Sequence, residues 1–194
     1  MKRSESRKAA TRLRRRQIQA KSGALLASTS KPTFIADVML GRLARWLRIA
    51  GFDTLYSNRF TDDELVALSQ AEGRILLSRD TRLLVRRAVC RFIFLESEDI
   101  SSQLRQVFAA TRTASLPDIL TRCLACNEIL DDIPRDGVRS SVPAYVFETQ
   151  ARFKTCPGCR RIFWAGTHRR SVLQTLVASL PALPAALGSD PADQ

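Results

Sequence analysis

Two Cys-x-x-Cys pairs, Cys123/Cys126 and Cys156/Cys159, stand in the carboxyl-terminal half of the sequence with 29 residues between them. Each short spacing lets one turn aim two sulfurs at a common point. Two such turns make a tetrahedral thiolate set for Zn²⁺ with Zn–S distances of about 2.3 Å. A single pair would suit redox chemistry, whereas two pairs favour metal over disulfide exchange. Four thiolates leave no coordination position for water, so this zinc is expected to fold a small module and not to catalyse. Pro157 and Gly158 inside the second pair predict a tight turn. Cys90 has no partner spacing and is expected to be a buried small hydrophobe.

The second chemistry-bearing set is acidic. Asp37 closes the apolar run Phe34-Ile35-Ala36, Asp62 and Asp63 follow Thr61, Asp80 ends Leu76-Leu77-Ser78-Arg79-Asp80, and Asp99 lies beyond Phe92-Ile93-Phe94-Leu95. Carboxylates gathered at one place repel one another and stay ionised only where divalent cations neutralise them. Mg²⁺ or Mn²⁺ suits such an all-oxygen site, and two ions about 4 Å apart can activate water and stabilise the leaving oxygen in phosphodiester hydrolysis. Structural roles are also open to most of these acids. Thr61-Asp62-Asp63-Glu64 fits a capping box, Asp80 fits a helix cap, and Asp99 fits a solvated loop. Asp37 has no such alternative.

The elements that must position these acids follow from hydropathy. Strands are predicted at Thr33–Ala36, Asp53–Tyr56, Arg74–Ser78 and Arg91–Leu95, and helices over 39–50, 62–71, 81–88 and 101–109. In the first helix Leu40, Leu43, Ala44 and Leu47 share one face while Arg42, Arg45 and Arg48 lie on the others, and Gly51 ends it. In the second, Leu65, Val66 and Leu68 are the candidate core. Four strands alternating with helices imply an α/β fold with a mostly parallel sheet covered on both sides. Catalytic groups of such sheets gather outside the carboxyl ends of the strands, where the acids fall.

The stretch Phe34-Ile35-Ala36-Asp37-Val38-Met39-Leu40-Gly41-Arg42-Leu43-Ala44-Arg45-Trp46-Leu47-Arg48, with Gly51-Phe52-Asp53-Thr54 after it, resembles the opening of the Mut-seven carboxy-terminal RNase domain family, a branch of the PIN-like nucleases. The likeness continues through Asp62-Asp63-Glu64-Leu65 and Arg74-Ile75-Leu76-Leu77-Ser78-Arg79-Asp80 into the cysteine pairs, over roughly residues 33–175. Ser78 stands where the family has Thr. The resemblance implies a PIN-like α/β domain followed by a small zinc ribbon with four cysteine ligands, and a metal-dependent ribonuclease. It points to Asp37 and Asp80 as metal-binding acids, with the third from Asp62 or Asp63. Arg42, Arg45 and Arg79 are candidates for positioning the RNA, although Arg42 and Arg45 fit the wet side of their helix equally well.

Composition sets the remaining bounds. The 194 residues are 45% apolar, enough for one core and a small satellite, and carry a net charge of +12. Residues 1–32 hold ten Lys or Arg against Glu5, which is +9, so the other 162 residues are only about +3. The first segment is expected to be a disordered basic arm. Its composition fits RNA phosphate binding, a solvated tail or an organelle transit peptide. No window is apolar enough for a membrane span and no apolar stretch of signal-peptide kind follows the amino terminus, so a cytoplasmic location is expected.

The expected domains are the arm (1–32), the PIN-like unit (33–113), the ribbon with a carboxyl-terminal helix (120–179) and a flexible tail (180–194). Within the ribbon, Val142–Phe147 and Arg161–Trp164 are predicted as strands. Arg135, Arg139, Arg152, Lys154, Arg160 and Arg161, with Tyr145, Phe147, Phe153 and Trp164, fit either RNA binding or an ordinary surface over a small core. His168, with Thr167, Arg169 and Arg170, fits a phosphate contact at a helix start. Two functions follow: a metal-dependent ribonuclease, and a non-catalytic RNA-binding or ribosome-associated module in which the acids are caps. RNA, with tRNA and ribosomal RNA as candidates, is the expected partner in both.

Overall fold

A computed structural model describes residues 12, 13, 15–19, 21, 22, 31–166 and 169–181. Thr167, His168, most of the basic arm and nearly all of the tail lie outside the described residues. The α/β unit runs β1 (Phe34–Ala36), a 3₁₀ turn (Val38–Leu40), α1 (Gly41–Ile49), β2 (Thr54–Tyr56), α2 (Asp62–Ala71), β3 (Ile75–Ser78), α3 (Thr81–Leu84), β4 (Phe92–Phe94) and α4 (Ile100–Ala110). The four strands form a parallel sheet in the order β2-β1-β3-β4, with Ala36 opposite both Tyr56 and Leu77, and Ser78 opposite Phe94. The helices flank it, so the α/β expectation holds.

Alternation along the short strands divides two cores. Phe34, Ala36, Ile75, Leu77 and Ile93 pack with Leu43 and Leu47 of α1 and Leu104 and Phe108 of α4. Ile35, Leu76, Phe92 and Phe94 pack with Leu65 and Val66 of α2 and Leu83 and Leu84. A sheet buried on both faces needs such near-continuous apolar strands. The arm departs from disorder in part: residues 15–19 are helical, Ile18 is buried in the second core, and the Ser22 hydroxyl accepts from the Phe94 backbone N–H at 3.0 Å.

Gly51 terminates α1 at φ +89°, where a Cβ would stand 2.1 Å from the Asp118 carbonyl oxygen. Only glycine fits this crossing. Lys31 fastens the same place, donating to the Gly51 carbonyl and pairing with Asp118, each at 2.7 Å.

The second unit holds β5 (Asp131–Ile133), a 3₁₀ turn (Arg135–Val138), α5 (Ala144–Thr149), β6 (Phe153–Thr155) and β7 (Ile162–Trp164), with β5-β6-β7 as an antiparallel sheet. The run expected as a strand over Val142–Phe147 is largely helix instead, because Pro143 caps it with φ already fixed near the helical value. The first strand of the sheet is Asp131–Ile133, whose two adjacent aspartates hid it from hydropathy. The final helix, α6 (Arg169–Val177), belongs with the other unit: Leu176 is fully buried in the first core, beside α4. Cys90 is exposed, not buried, because it precedes β4 in a loop.

Candidate active site and metal centre

From β1 the chain crosses to the outer strand β2 and then returns to the other side of β1 as β3. The carboxyl ends of β1 and β3 therefore flank the switch point of the sheet, where ligands of open α/β sheets bind. Asp37 is the residue after β1, and its backbone N–H extends the ladder to the Leu77 carbonyl at 3.0 Å. That places it beside Ser78, whose hydroxyl donates to Asp37 Oδ2 at 2.6 Å and accepts from the Asp80 N–H at 2.9 Å. Ser78 is fully buried and joins the two acids.

Asp37 is only 4% exposed, and among the described residues no Lys or Arg pairs with it. A nearly buried carboxylate served by one neutral hydroxyl lacks the compensation that burial of charge requires. Asp80 also caps α3, accepting from the Arg82 N–H at 2.7 Å. The cap and a place at the site are therefore combined in one residue. The hydroxyl that a Thr would also carry at position 78 is the only local sign of this bridge in the sequence.

The other acids are placed differently. The capping box forms as expected: Thr61 Oγ1 accepts from the Glu64 N–H at 3.3 Å, and Glu64 Oε2 accepts from the Thr61 N–H at 2.7 Å. Thr61 and Glu64 do the capping, which leaves Asp62 and Asp63 for Arg86. Its Nη2 lies 3.0 Å from Asp62 Oδ2 and its Nη1 2.5 Å from Asp63 Oδ1. Asp99 is a cap for α4, and the hydrogen bond from the Ser102 N–H holds its carboxyl below the usual range. Arg79 pairs with Glu98 at 2.8 Å, while Arg42 and Arg45 are exposed on α1. Among the described residues the carboxylates form no group of three ligand atoms within 4.8 Å, and the only such group is made of cysteines.

That group is Cys123, Cys126, Cys156 and Cys159, all four sulfurs lying within 4.8 Å of one another. Cys123 and Cys159 are 3.6 Å apart, and Cys126 and Cys156 3.3 Å. A tetrahedral Zn²⁺ with Zn–S of about 2.3 Å needs sulfurs about 3.8 Å apart, so the thiol set fits the ion. Two matching turns build it. Asn127 N–H donates to the Cys123 carbonyl and Arg160 N–H to the Cys156 carbonyl, at 3.0 and 2.9 Å, and both Asn127 and Arg160 are left-handed, at φ 73° and 58°. The left-handed position thus falls on Arg160 and not on Gly158, whose missing side chain instead clears Glu128 Cγ, 3.1 Å from where a Cβ would lie. Burial pushes the Cys123 thiol up, but the N–H groups of Cys126 and Ala125 outweigh it and hold the thiol at about 7. A thiol poised there gives its proton to water readily when a metal takes its place.

With both sites described, a family model for the Mut7-C RNAse domain matches residues 32–176, which spans β1 through the ribbon and into α6. The chain belongs to this family. No curated protein and no solved structure matches it. The Mut7-C RNAse domain bears the name of a ribonuclease, and that name makes RNA its implied substrate class. No helix among the described residues is long and apolar enough to cross a membrane.

The Mut7-C match runs without a break across the junction of the two units, and the junction is polar. Arg48, expected on a wet face of α1, is 4% exposed. It donates to the carbonyls of Thr54, Leu124 and Ala125 at 3.0, 3.0 and 2.9 Å, the last two inside the first cysteine turn. Burial lowers its pKa, and the nearby Cys123 and Cys126 oppose that shift. Asn127 completes the contact, accepting from the Thr54 N–H at 3.0 Å and donating to Asp53 at 2.8 Å. The first cysteine turn is thereby docked at the amino end of β2, the end of the sheet opposite Asp37 and Asp80.

Asp53 also holds Arg74 at 2.5 Å. Burial raises the Asp53 pKa, but the hydrogen bonds from Arg74 and Asn127 outweigh it and the net shift is downward. A lowered folded-state pKa contributes stability that is present above the unfolded value of about 3.9 and is lost as pH falls through the folded value. Asp53→Asn should therefore cost about 1–2 kcal/mol at neutral pH, because the nearly buried Arg74 loses one of its two ion pairs and keeps only Glu72. Urea titrations should show the gap to the parent protein closing below about pH 4. An equal gap at every pH would remove the ion pair from the account.

Proposed function

We propose that the chain is a divalent-metal-dependent ribonuclease with its active site at the carboxyl ends of β1 and β3. The observation that carries this reading is Asp37, a 4% exposed acid with no cationic side chain paired to it among the described residues, joined through Ser78 to Asp80. A bound cation would supply the missing compensation. Asp37 and Asp80 would hold Mg²⁺ or Mn²⁺, with the third carboxylate from Asp62 or Asp63, whose partner Arg86 would then be given up. The ion supplies charge neutralisation at the scissile phosphate and lowers the pKa of water. Ser78 fixes the Asp37 rotamer, and Arg79, Arg42 and Arg45 border the site as phosphate contacts. The zinc ribbon and the basic arm assist in holding the RNA.

A second reading is favoured by the hydrogen bonds of Asp80 and Asp99, which cap helices, and by the Arg86 pairs of Asp62 and Asp63. In it the acids are structural and the chain binds RNA without cutting it. Zinc-loaded protein incubated with single-stranded and structured RNA, with and without Mn²⁺ or Mg²⁺, separates the two. The ribonuclease should cut only with the divalent ion, and Mn²⁺ should raise its melting temperature, by about 2.7 kcal/mol of stability at a hundredfold excess over Kd. Binding without cleavage under any metal, and no thermal response, would leave the second reading.

A further inference from the structure

We propose that Arg135, Arg139 and Phe147 form a phosphate-binding surface for single-stranded RNA on the ribbon, with Tyr145 as an adjoining stacking ring. The choice of RNA over other polyanions rests on the ribonuclease reading. The Arg135 guanidinium lies 4.4 Å from the centre of the Phe147 ring and the Arg139 guanidinium 5.3 Å from it. Arg135 is fixed there, since its Nε and Nη2 both donate to the Phe147 carbonyl, at 3.3 and 2.7 Å. Its Nη1 and every side-chain N–H of Arg139 are without a hydrogen-bond partner among the described residues.

Neither of the two stacked arginines is in an ion pair among the described residues, whereas several other cations are already neutralised. Arg74, Arg79, Arg86, Arg122 and Lys154 each lie within 4 Å of a carboxylate. Asp136, the acid nearest in sequence to both arginines, and Glu148, next to Phe147, make no ion pair with either among the described residues. Cation–π attraction at exposed sites is worth about 0.5–1 kcal/mol, comparable to the repulsion of two cations about 4 Å apart in water. Phosphates of a bound strand would offset the charge that the ring gathers, and planar, pre-oriented N–H forks suit their oxygens. Tyr145, two residues before Phe147 on α5, is 66% exposed. Tyr145 therefore faces away from Phe147 on that short helix, and a strand passing the arginines would have to continue round it to stack an unpaired base on the exposed ring, which suits a single strand and not a duplex.

The test is fluorescence anisotropy of a labelled oligouridylate against the zinc-loaded full chain, without Mg²⁺ or Mn²⁺, over a series of salt concentrations. Loss of two contacts should flatten the slope of log K against log salt by about 1.4 in the Arg135→Gln/Arg139→Gln protein and weaken binding roughly tenfold. Tyr145→Ala should weaken binding severalfold at an unchanged slope. The control, Arg87→Gln/Arg105→Gln, removes equal charge from exposed positions of the α/β unit. A double variant whose slope falls no further than that of the control would overturn the surface. Cleavage of the same RNA on adding Mn²⁺ is read separately. A parent that binds with the expected slopes and never cuts defeats the ribonuclease reading alone, while a cutting enzyme with unaltered slopes defeats this one alone.

Discussion

Asp37→Asn should abolish metal-dependent RNA cleavage, lowering the rate on the order of 10³-fold or more, while the protein keeps its fold. The amide has the same shape, and its oxygen can still accept the Ser78 hydroxyl that now reaches Asp37 Oδ2 at 2.6 Å. What disappears is the negative charge, which is nearly buried and has no cationic partner among the described residues. Removing it should relieve the folded state, so the melting temperature without divalent metal should stay within a few degrees of the parent or rise. The thermal response to Mn²⁺ should vanish with the activity. The combination matters because a mutation that merely damaged the core would lower both stability and activity. Cleavage at the parental rate by Asp37→Asn, in matched Mn²⁺, would place the chemistry elsewhere.

The extent to which the sequence foretold this arrangement depended on whether a residue's role was local. Alternating apolar runs located all four strands of the parallel sheet, and α2 begins and ends where the capping residue Thr61 and the apolar spacing required. The cysteine set was equally legible, since Cys-x-x-Cys is a local device. Asp37 stood out because nothing nearby explained it. Long-range partners left no such trace. Arg48 reads as one of three arginines on a helix, and only the arrival of residues 124 and 125 makes it a buried strut. Asp53 and Asn127 are 74 positions apart yet share a hydrogen bond. The pairing of Arg86 with Asp62 and Asp63 likewise comes from tertiary approach, as does the return of α6 to the α/β core. Over Val142–Phe147 the reason is local: the β-branched and aromatic residues suit a strand, but the chain turns into helix directly after Pro143.

Removing zinc should unfold the ribbon and weaken the α/β unit with it. Around the metal, the ribbon's core is Cys123, Leu130 and Cys156, with Cys159 and Phe163 against them, so three of its five members are the ligands themselves. What is left is a second cluster of Val138, Val146 and Phe153 with Ile133, Val142, Phe147 and Ile162 against it, too small to hold strands of three residues, and structural zinc in small modules is worth about 10–16 kcal/mol. The α/β unit has its own two cores and should stay folded. Two of the three carbonyls held by Arg48 lie in the cysteine turn, however, and the Thr54 N–H is bonded to Asn127. Loss of that turn leaves the Arg48 guanidinium with the Thr54 carbonyl alone and the edge-strand amide without its partner, a cost of about 1–3 kcal/mol for each unsatisfied group. Chelation should therefore strip hydrogen-exchange protection from residues 123–163 and, next, from β2, while β1 and β3 stay protected. Arg48→Met in zinc-loaded protein isolates the coupling: it should lower the stability of the α/β unit while four thiolates still hold one zinc. If β2 keeps its protection after chelation, and Arg48→Met melts with the parent, the two units are joined by chain alone.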